Sequence, residues 1–204
     1  ATQWLGEEAS LLNDVLSGKN KFAAKLKKAK RPMIIIGMGA LVRADGASVL
    51  GKARQIAETY SVVTDKWNGF NILHTAAARV AGLDMGFVPG RGGMDIAAMT
   101  AAAKAGSLDV LWSLGADEID YADLVSSFVI YQGHHGDAGA HHADIVLPGA
   151  AYTEKDGIYL NTEGRVQYAN RAAFPPGEAR EDWAIIRAVS GAIGKSIGMD
   201  SLSE

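Results

Sequence analysis

Short runs of apolar, mostly β-branched residues alternate with longer alanine-rich stretches along this chain. Runs of this kind are typical of the buried strands of a parallel sheet, and the stretches between them are typical of its crossover helices. The runs occupy residues 33–36, 61–64, 110–114, 128–131 and 144–148. We therefore predict an α/β fold with a doubly wound, mostly parallel sheet that carries helices on both faces.

Helical periodicity surrounds these runs, and the pattern changes after Pro148. Helices are expected at residues 7–17, 20–30, 45–60, from 72 onward, 94–105, 121–125 and 179–193. Two short apolar segments on either side of residues 162–165 predict a β-hairpin with Gly164 at a positive φ. We expect an N-terminal helical segment at 1–31 and a Rossmann-like α/β domain at 32–150. The hairpin and last helix, at 151–204, are expected to pack on that same domain.

Cysteine is absent from the 204 residues. The chain therefore supplies no disulfide and no thiolate ligand for zinc or an iron–sulfur cluster. The net charge of −3 argues against a nucleic-acid-binding protein. No apolar run approaches the ~20 residues of a membrane-spanning helix, so direct membrane insertion is not expected.

Gly37 and Gly39 follow the first predicted strand and invite a dinucleotide-binding hypothesis. The fingerprint G-x-G-x-x-G requires a third glycine, where this chain has Val42. The acidic residue expected to end the second strand is also missing, since Thr64 stands there and Asp65 only follows it. The alternative, which we favour, is a tight strand-to-helix turn that uses the backbone freedom of glycine.

Four histidines lie close together in the sequence and raise the possibility of a metal site. They are His134, His135, His141 and His142, with Asp137 and Asp144 nearby. Adjacent side chains of an extended segment point to opposite sides and do not easily share one ion. We therefore expect a glycine-rich connection whose imidazoles bond to backbone or water, and no metal site.

Other candidate chemistries are weakly supported. The lysines of residues 19–30 form either a phosphate-binding patch or, as we favour, a solvated helix face. The chain has no G-x-S-x-G and no P-loop. Glu154, Asp156 and Glu163 flank the hairpin and serve either as acid–base groups or as surface partners of Lys155 and Arg165.

Several motifs together resemble the molybdopterin oxidoreductase superfamily. Residues 143–148 read ADIVLP, residues 154–157 read EKDG and residues 161–165 read NTEGR. Further motifs are GHHGDAGA at 133–140, PPGEAREDW at 175–183, WNGFN at 67–71 and RPMII at 31–35. These resemble one branch of that superfamily, the large iron–sulfur subunits of respiratory complex I.

The resemblance implies that the chain is the C-terminal part of a longer subunit. In that branch the part keeps the molybdoenzyme fold without a molybdenum cofactor, and the iron–sulfur clusters lie in the missing N-terminal part. The implied role is architectural, with no catalytic residue. The implied partners are the cluster-bearing part and other peripheral-arm subunits. The implied location is the cytoplasmic face of the bacterial inner membrane or the matrix side of the mitochondrial one.

By analogy with the catalytic relatives, loops at the carboxyl ends of the strands would face any remaining ligand cleft. The residues at those positions are Gly37, Gly39, Gly115, Asp117, Gln132 and His134. Two alternatives stay open. One is a cofactor-binding domain of an active, formate dehydrogenase-like molybdopterin oxidoreductase. The other is a free-standing nucleotide-binding α/β enzyme.

Overall fold

The computed structural model describes residues 2–124 and 126–204. Its α-helices are α1 (Leu11–Leu16), α2 (Lys21–Lys28), α3 (Gly46–Thr59), α4 (Arg79–Asp84), α5 (Ile96–Lys104), α6 (Ala138–His142) and α7 (Asp182–Ala192). Its strands are β1 (Ile34–Gly37), β2 (Val63–Thr64), β3 (Trp67–Asn68), β4 (Phe70–Leu73), β5 (Val110–Leu114), β6 (Phe128–Gly133), β7 (Ile145–Pro148), β8 (Gly157–Leu160) and β9 (Val166–Ala169). Short 3-10 helices cover Met38–Ala40 and Tyr121–Leu124.

The chain divides into two compact units. Unit 1 comprises Ala1–Met85 and Leu160–Val166, and unit 2 comprises Gly86–Tyr159 and Gln167–Glu204. Each unit contains one short parallel sheet, with strand order β1-β4 in unit 1 and β5-β6-β7 in unit 2. The longest described helix, α3, has 14 residues, and no described helix is long and apolar enough to cross a membrane.

In unit 1, the three isoleucines of β1 pair in parallel register with the mostly apolar strand β4. Ile34 lies beside Phe70, and Ile36, which is buried, lies beside Ile72. Helix α3 buries Ala53, Ile56 and Ala57 at three- to four-residue spacing, as an amphipathic helix does. Helix α1 packs against α3.

The Trp67–Gly69 segment ties the start of β1 to the start of β4. The Trp67 indole Nε1 donates to the Pro32 carbonyl at 2.8 Å. The Gly69 amide donates to the Val62 carbonyl at 2.9 Å, and the Ile34 amide donates to the Gly69 carbonyl at 2.8 Å. A Cβ on Gly69 would collide with the Pro32 oxygen and with Trp67 Nε1. Glycine is therefore required here by close approach of the backbone.

Unit 2 is built on the sheet β5-β6-β7, in which all neighbours are parallel. One face of the sheet carries the core of the unit. Val129 of β6 packs with Ala103 of α5 and with Tyr121 and Leu124 of the second 3-10 helix, and all four are buried. Asp95 is the N-cap of helix α5, and its carboxylate accepts from the Ala98 amide at 2.8 Å.

The predicted hairpin is confirmed as β8 and β9. Gly164 has φ +78°, as expected, and the Asn161 side chain accepts from the amides of Glu163 and Arg165. The Thr162 hydroxyl donates to the Ile72 carbonyl. The side chains of the NTEGR motif therefore shape a turn.

The α/β class, with parallel sheets and helices, is confirmed. The predicted runs at 33–36, 110–114, 128–131 and 144–148 all contain strands, although these form two sheets of two and three strands. Residues 61–64 contribute only Val63–Thr64, which pairs antiparallel with Trp67–Asn68. The three-part domain division stays a prediction.

The helix expected from residue 72 was wrong at its start. Residues Phe70–Leu73 form strand β4, and α4 begins only at Arg79. Pairing of Ile72 with the buried Ile36 outweighs the helical preference of the alanine-rich sequence that follows. The helix predicted at 121–125 is a 3-10 helix over Tyr121–Leu124, and Val125 lies outside the described residues.

Gly69→Ala should reduce the free energy of unfolding by about 1–3 kcal/mol, because the new Cβ forces the Pro32 carbonyl and the Trp67 indole apart. Urea unfolding of this chain measures the change. Gly37→Ala is the matched control, because φ is −76° there and the chain leaves the Cβ position open. It should leave stability unchanged or raise it by up to about 1 kcal/mol. Equal losses in both variants would contradict this account of Gly69.

Candidate functional site

Polar side chains converge at the carboxyl end of the sheet β5-β6-β7 in unit 2. Gly115 and Asp117 follow β5, Gln132 lies near the end of β6, and His134 follows β6. The Gly115 amide donates to the Gln132 carbonyl at 2.8 Å, and Gly115 has φ +58°. Four of the six cleft residues predicted from the sequence therefore lie at one edge of one sheet, as parallel strands require.

Ser113 and Tyr121 form a buried hydroxyl pair beneath this edge. Their oxygens lie 2.7 Å apart, and both reach the Ala116 carbonyl, at 2.6 Å from Ser113 and 2.8 Å from Tyr121. Burial raises the pKa of the Tyr121 hydroxyl, and the hydrogen bond with Ser113 offsets this only in part. The phenol is therefore held in its neutral form, and it anchors the turn that follows β5.

Asp117 joins the end of β5 to helix α6. Its carboxylate accepts from the Gly139 amide at 2.6 Å. A Cβ on Gly139 would lie 2.5 Å from the Tyr131 ring and 2.7 Å from the Tyr121 hydroxyl. Burial, followed by the charges of Asp117 and Asp137, raises the pKa of the Tyr131 hydroxyl. The Asp117 carboxylate thus acts on the fold, holding α6 close to two buried phenols.

Gln132, Asp182 and Lys155 form a second connected group. The Gln132 side chain is 0% exposed, and its Nε2 donates to the Asp182 carboxylate at 2.9 Å. The other Asp182 oxygen pairs with the Lys155 ammonium. Gln132 Oε1 is buried and has no hydrogen-bond partner among the described residues. The group fixes the first residue of α7 against the end of β6.

The four clustered histidines, His134, His135, His141 and His142, are exposed. The rings of His134 and His135 lie 4.2 Å apart at 49° to each other, and the His142 ring stacks on Tyr121 at 5.9 Å. His142 Nδ1 lies 2.9 Å from the Ala138 carbonyl. Within residues 2–124 and 126–204, no group of three or more His, Asp or Glu side chains is placed to hold a metal ion. Asp144 instead accepts from the Val129 amide at 2.7 Å.

Gly37 and Gly39 lie in unit 1, at the end of β1 and in the 3-10 helix that follows it. Our explanation of these glycines by backbone freedom was wrong. Gly37 has φ −76°, and Gly39 is not among the described glycines with positive φ. The glycine that the turn requires is Gly46, where a Cβ would collide with the Leu41 backbone. Gly37 and Gly39 face open space.

The acidic residues around the hairpin act on nearby backbone. Glu154 accepts from the Ala151 amide at 3.0 Å, and Asp156 accepts from the Arg171 amide at 2.7 Å. The Lys155 ammonium pairs with Asp182 of helix α7.

Sequence reasoning missed Ser113, Tyr121, Lys155 and Asp182 as members of this edge. Gln132 and Asp182 are 50 residues apart, and no motif links them. A usable signal was present for Ser113, because a polar residue inside an otherwise apolar strand requires a buried partner.

Comparison with known proteins assigns the family. The model of the family described as molybdopterin oxidoreductase matches residues 1–192. The chain belongs to the molybdopterin oxidoreductase family. Similar relatives include the G subunit of the NADH-quinone oxidoreductase of Rickettsia felis, 43% identical over 99% of this chain and 28% of that protein. The NADH-ubiquinone oxidoreductase 75 kDa subunit of Reclinomonas americana is 42% identical over 100% of this chain and 29% of its own length.

The chain thus spans less than a third of the curated relatives it matches. The corresponding G subunit of Rickettsia bellii is 45% identical over 91% of this chain and 26% of that protein. Among solved structures, acetylene hydratase from Pelobacter acetylenicus has a TM-score of 0.42 and 19% identity, over 48% of this chain and 16% of that one.

The carboxyl edge of β5-β6-β7 does not fit the anionic pterin dinucleotide that the family name implies. Three carboxylates, those of Asp117, Glu118 and Asp137, follow the strands at this edge. The Lys155 ammonium is paired with Asp182. The exposed Arg180 guanidinium donates through Nη1 to the Ala179 carbonyl at 2.8 Å and the Gly177 carbonyl at 3.3 Å. A diphosphate here would meet carboxylates, which repel it.

Asp182→Leu should lower the free energy of unfolding by about 1–2 kcal/mol, chiefly because the buried Gln132 amide loses its acceptor. The ion pair itself contributes little, since the Lys155 and Asp182 side chains are 27% and 30% exposed. Asp200→Ala, which breaks the exposed pair with Arg187, should cost under about 0.5 kcal/mol. The urea midpoints of the two variants measure these changes. A larger loss of stability in Asp200→Ala than in Asp182→Leu would refute the stabilising role of Asp182.

The stability of the chain should fall as the pH rises above about 10, where the tyrosines of the unfolded chain begin to ionise. Because burial raises the pKa values of Tyr121 and Tyr131, the folded state holds their protons longer than the unfolded state does. The stabilisation is complete below the unfolded pKa and is lost as the pH climbs through the folded values. With rising pH, the urea midpoint should decline less steeply for Tyr121→Phe than for the unsubstituted chain. Identical declines in the two proteins would contradict a raised pKa for Tyr121.

Proposed function

We propose that this chain is a structural, non-catalytic C-terminal portion of the large iron–sulfur subunit of respiratory complex I. The parent subunit would carry electrons from NADH toward quinone, and this portion would support it without taking part in the chemistry. One observation carries the proposal. Proteins named as this subunit are 42–45% identical to the chain over 91–100% of its length.

The polar groups at the carboxyl edge support a structural role. Asp117, Ser113 and Tyr121 are all engaged with backbone groups, and Asp182 is engaged with Lys155 and Gln132. A catalytic site keeps an acid, a base or a nucleophile directed at a position where substrate can sit. Here Ser113 and Tyr121 hold the turn after β5, Asp117 holds helix α6, and Asp182, the first residue of α7, is bound to Gln132.

Iron–sulfur clusters belong, in this proposal, to the part of the parent outside this chain. A cluster needs thiolate ligands, and these 204 residues contain no cysteine. The partners are therefore the cluster-bearing part of the same subunit and the other subunits of the peripheral arm. The chain would lie on the cytoplasmic face of a bacterial inner membrane, or on the matrix side of the mitochondrial one, as a peripheral element.

A second candidate is a cofactor-binding domain of an active molybdopterin oxidoreductase, of the formate dehydrogenase kind. The family match favours it. The carboxylates that follow the strands at the carboxyl edge, and the pairing of Lys155 with Asp182, disfavour it.

Elemental analysis of the full-length parent, purified from its native source, tests the proposal. We expect neither molybdenum nor tungsten, and no pterin fluorescence after oxidative release, in a preparation that oxidises NADH. Near-stoichiometric metal together with pterin would refute the structural role and favour the second candidate.

A further inference from the structure

Two buried polar atoms of the sheet β5-β6-β7 have no hydrogen-bond partner among the described residues. They are the indole nitrogen of Trp112, in β5, and the side-chain oxygen of Gln132, in β6. Buried polar atoms of folded proteins are nearly always bonded, either to protein or to an ordered water, because an unpaired one loses its hydration without compensation. Each of these two atoms therefore requires a partner.

The register of the sheet puts the two side chains on the same face of neighbouring strands. Trp112 pairs with Ile130, and Leu114 pairs with Gln132. Residues in register share a face and successive residues alternate between faces, so Trp112 and Gln132 are diagonal neighbours on one face. Diagonal neighbours on adjacent strands are within reach of aromatic and other long side chains, and an indole and a glutamine amide are both of that kind.

The two atoms are complementary in their chemistry. The Trp112 indole N–H only donates. The Gln132 amide nitrogen donates to the Asp182 carboxylate at 2.9 Å, and because an ionised carboxylate only accepts, this bond fixes which end of the amide is the oxygen. The oxygen at the other end of the amide only accepts. A donor and an acceptor thus lie on one face of the sheet without a hydrogen bond between them.

We propose that an ordered water molecule binds between Trp112 and Gln132, where it accepts from the indole N–H and donates to the amide oxygen. A metal cation does not fit, because the indole N–H offers no lone pair, and an anion would be repelled by the amide oxygen. Water supplies both functions, and a bridging water is nearly as favourable in enthalpy as a direct hydrogen bond. Through Gln132 the bridge continues to Asp182, so one polar chain would run from β5 through β6 to α7. The water site concerns this chain alone and does not depend on the identity of the parent subunit.

Proton NMR of the indole groups of this chain tests the water site directly, since the other tryptophans provide controls in the same spectrum. Rotating-frame magnetisation transfer from water has one sign when a bound water lies beside the proton and the opposite sign when the proton exchanges with bulk water. We expect the bound-water sign at the Trp112 indole proton, which is assigned by its loss in Trp112→Phe. Trp67, whose indole donates to the Pro32 carbonyl, should show no transfer, and Trp4, which is 76% exposed, should show exchange.

Two results of this measurement would overturn the water site. An exchange signal at Trp112 like that of Trp4 would show that the indole proton is open to bulk water. No transfer from water to Trp112, as at Trp67, would show that its N–H donates to a protein acceptor instead, either Gln132 directly or another group. In both cases no bound water lies beside the indole.

A double-mutant cycle tests the link between the two side chains. Trp112→Phe keeps an aromatic ring but removes the donor, and Gln132→Met keeps a long side chain but removes the acceptor. Trp112→Phe should raise the equilibrium constant for unfolding about fivefold more in the unsubstituted chain than in Gln132→Met, a factor that corresponds to the net contribution of one neutral hydrogen bond. Trp67→Phe is the matched control and should have the same effect in both backgrounds, because its acceptor is the Pro32 carbonyl. Equal effects of Trp112→Phe in both backgrounds would overturn the bridge.

Discussion

Strand β6 is hydrogen-bonded along both of its edges, to β5 on one side and β7 on the other, and the rest of unit 2 depends on this pairing. It brings the carboxyl ends of three strands to one edge, although the strands are spread over about forty residues of sequence. Every polar group at the candidate site owes its position to that edge. The pairing also places Tyr131 where Gly133 and Gly139 must lack side chains, since a Cβ at either position would press on its ring.

The polar side chains at this edge hold neighbouring elements in place through hydrogen bonds and an ion pair. In a low-dielectric interior, a polar group that is left unpaired costs more than a pair contributes, so connected groups specify one arrangement. Asp117 holds α6, the Ser113–Tyr121 pair holds the turn after β5, and Asp182 holds Gln132 and Lys155. At this edge, the acids and hydroxyls named above connect secondary-structure elements to one another. This is the physical basis for the structural role that we propose for the chain.

The parts of this architecture that local sequence determines were predictable. The runs at β1, β5, β6 and β7 are mostly apolar, and the NTEGR turn carries its own hydrogen-bonding side chain in Asn161. The features that depend on residues distant in sequence were not predictable. Phe70–Leu73 is a strand only because Ile36 is available beside Ile72, and Asp182 gains its role from Gln132 and Lys155, 50 and 27 residues away. Gly69 showed the same limit, because it is required by the close approach of the Pro32 carbonyl from 37 residues away.

The central claim is that this edge serves assembly and not chemistry. The most direct test is Asp117→Ala in the full-length subunit, which leaves the Gly139 amide without its acceptor. The amount of assembled complex and the NADH:quinone turnover per assembled complex are then measured together. We predict less assembled complex, with a turnover per complex within about twofold of that of the unsubstituted complex. Normal assembly with a turnover lowered by about tenfold or more would contradict it, because it would place Asp117 in the reaction itself.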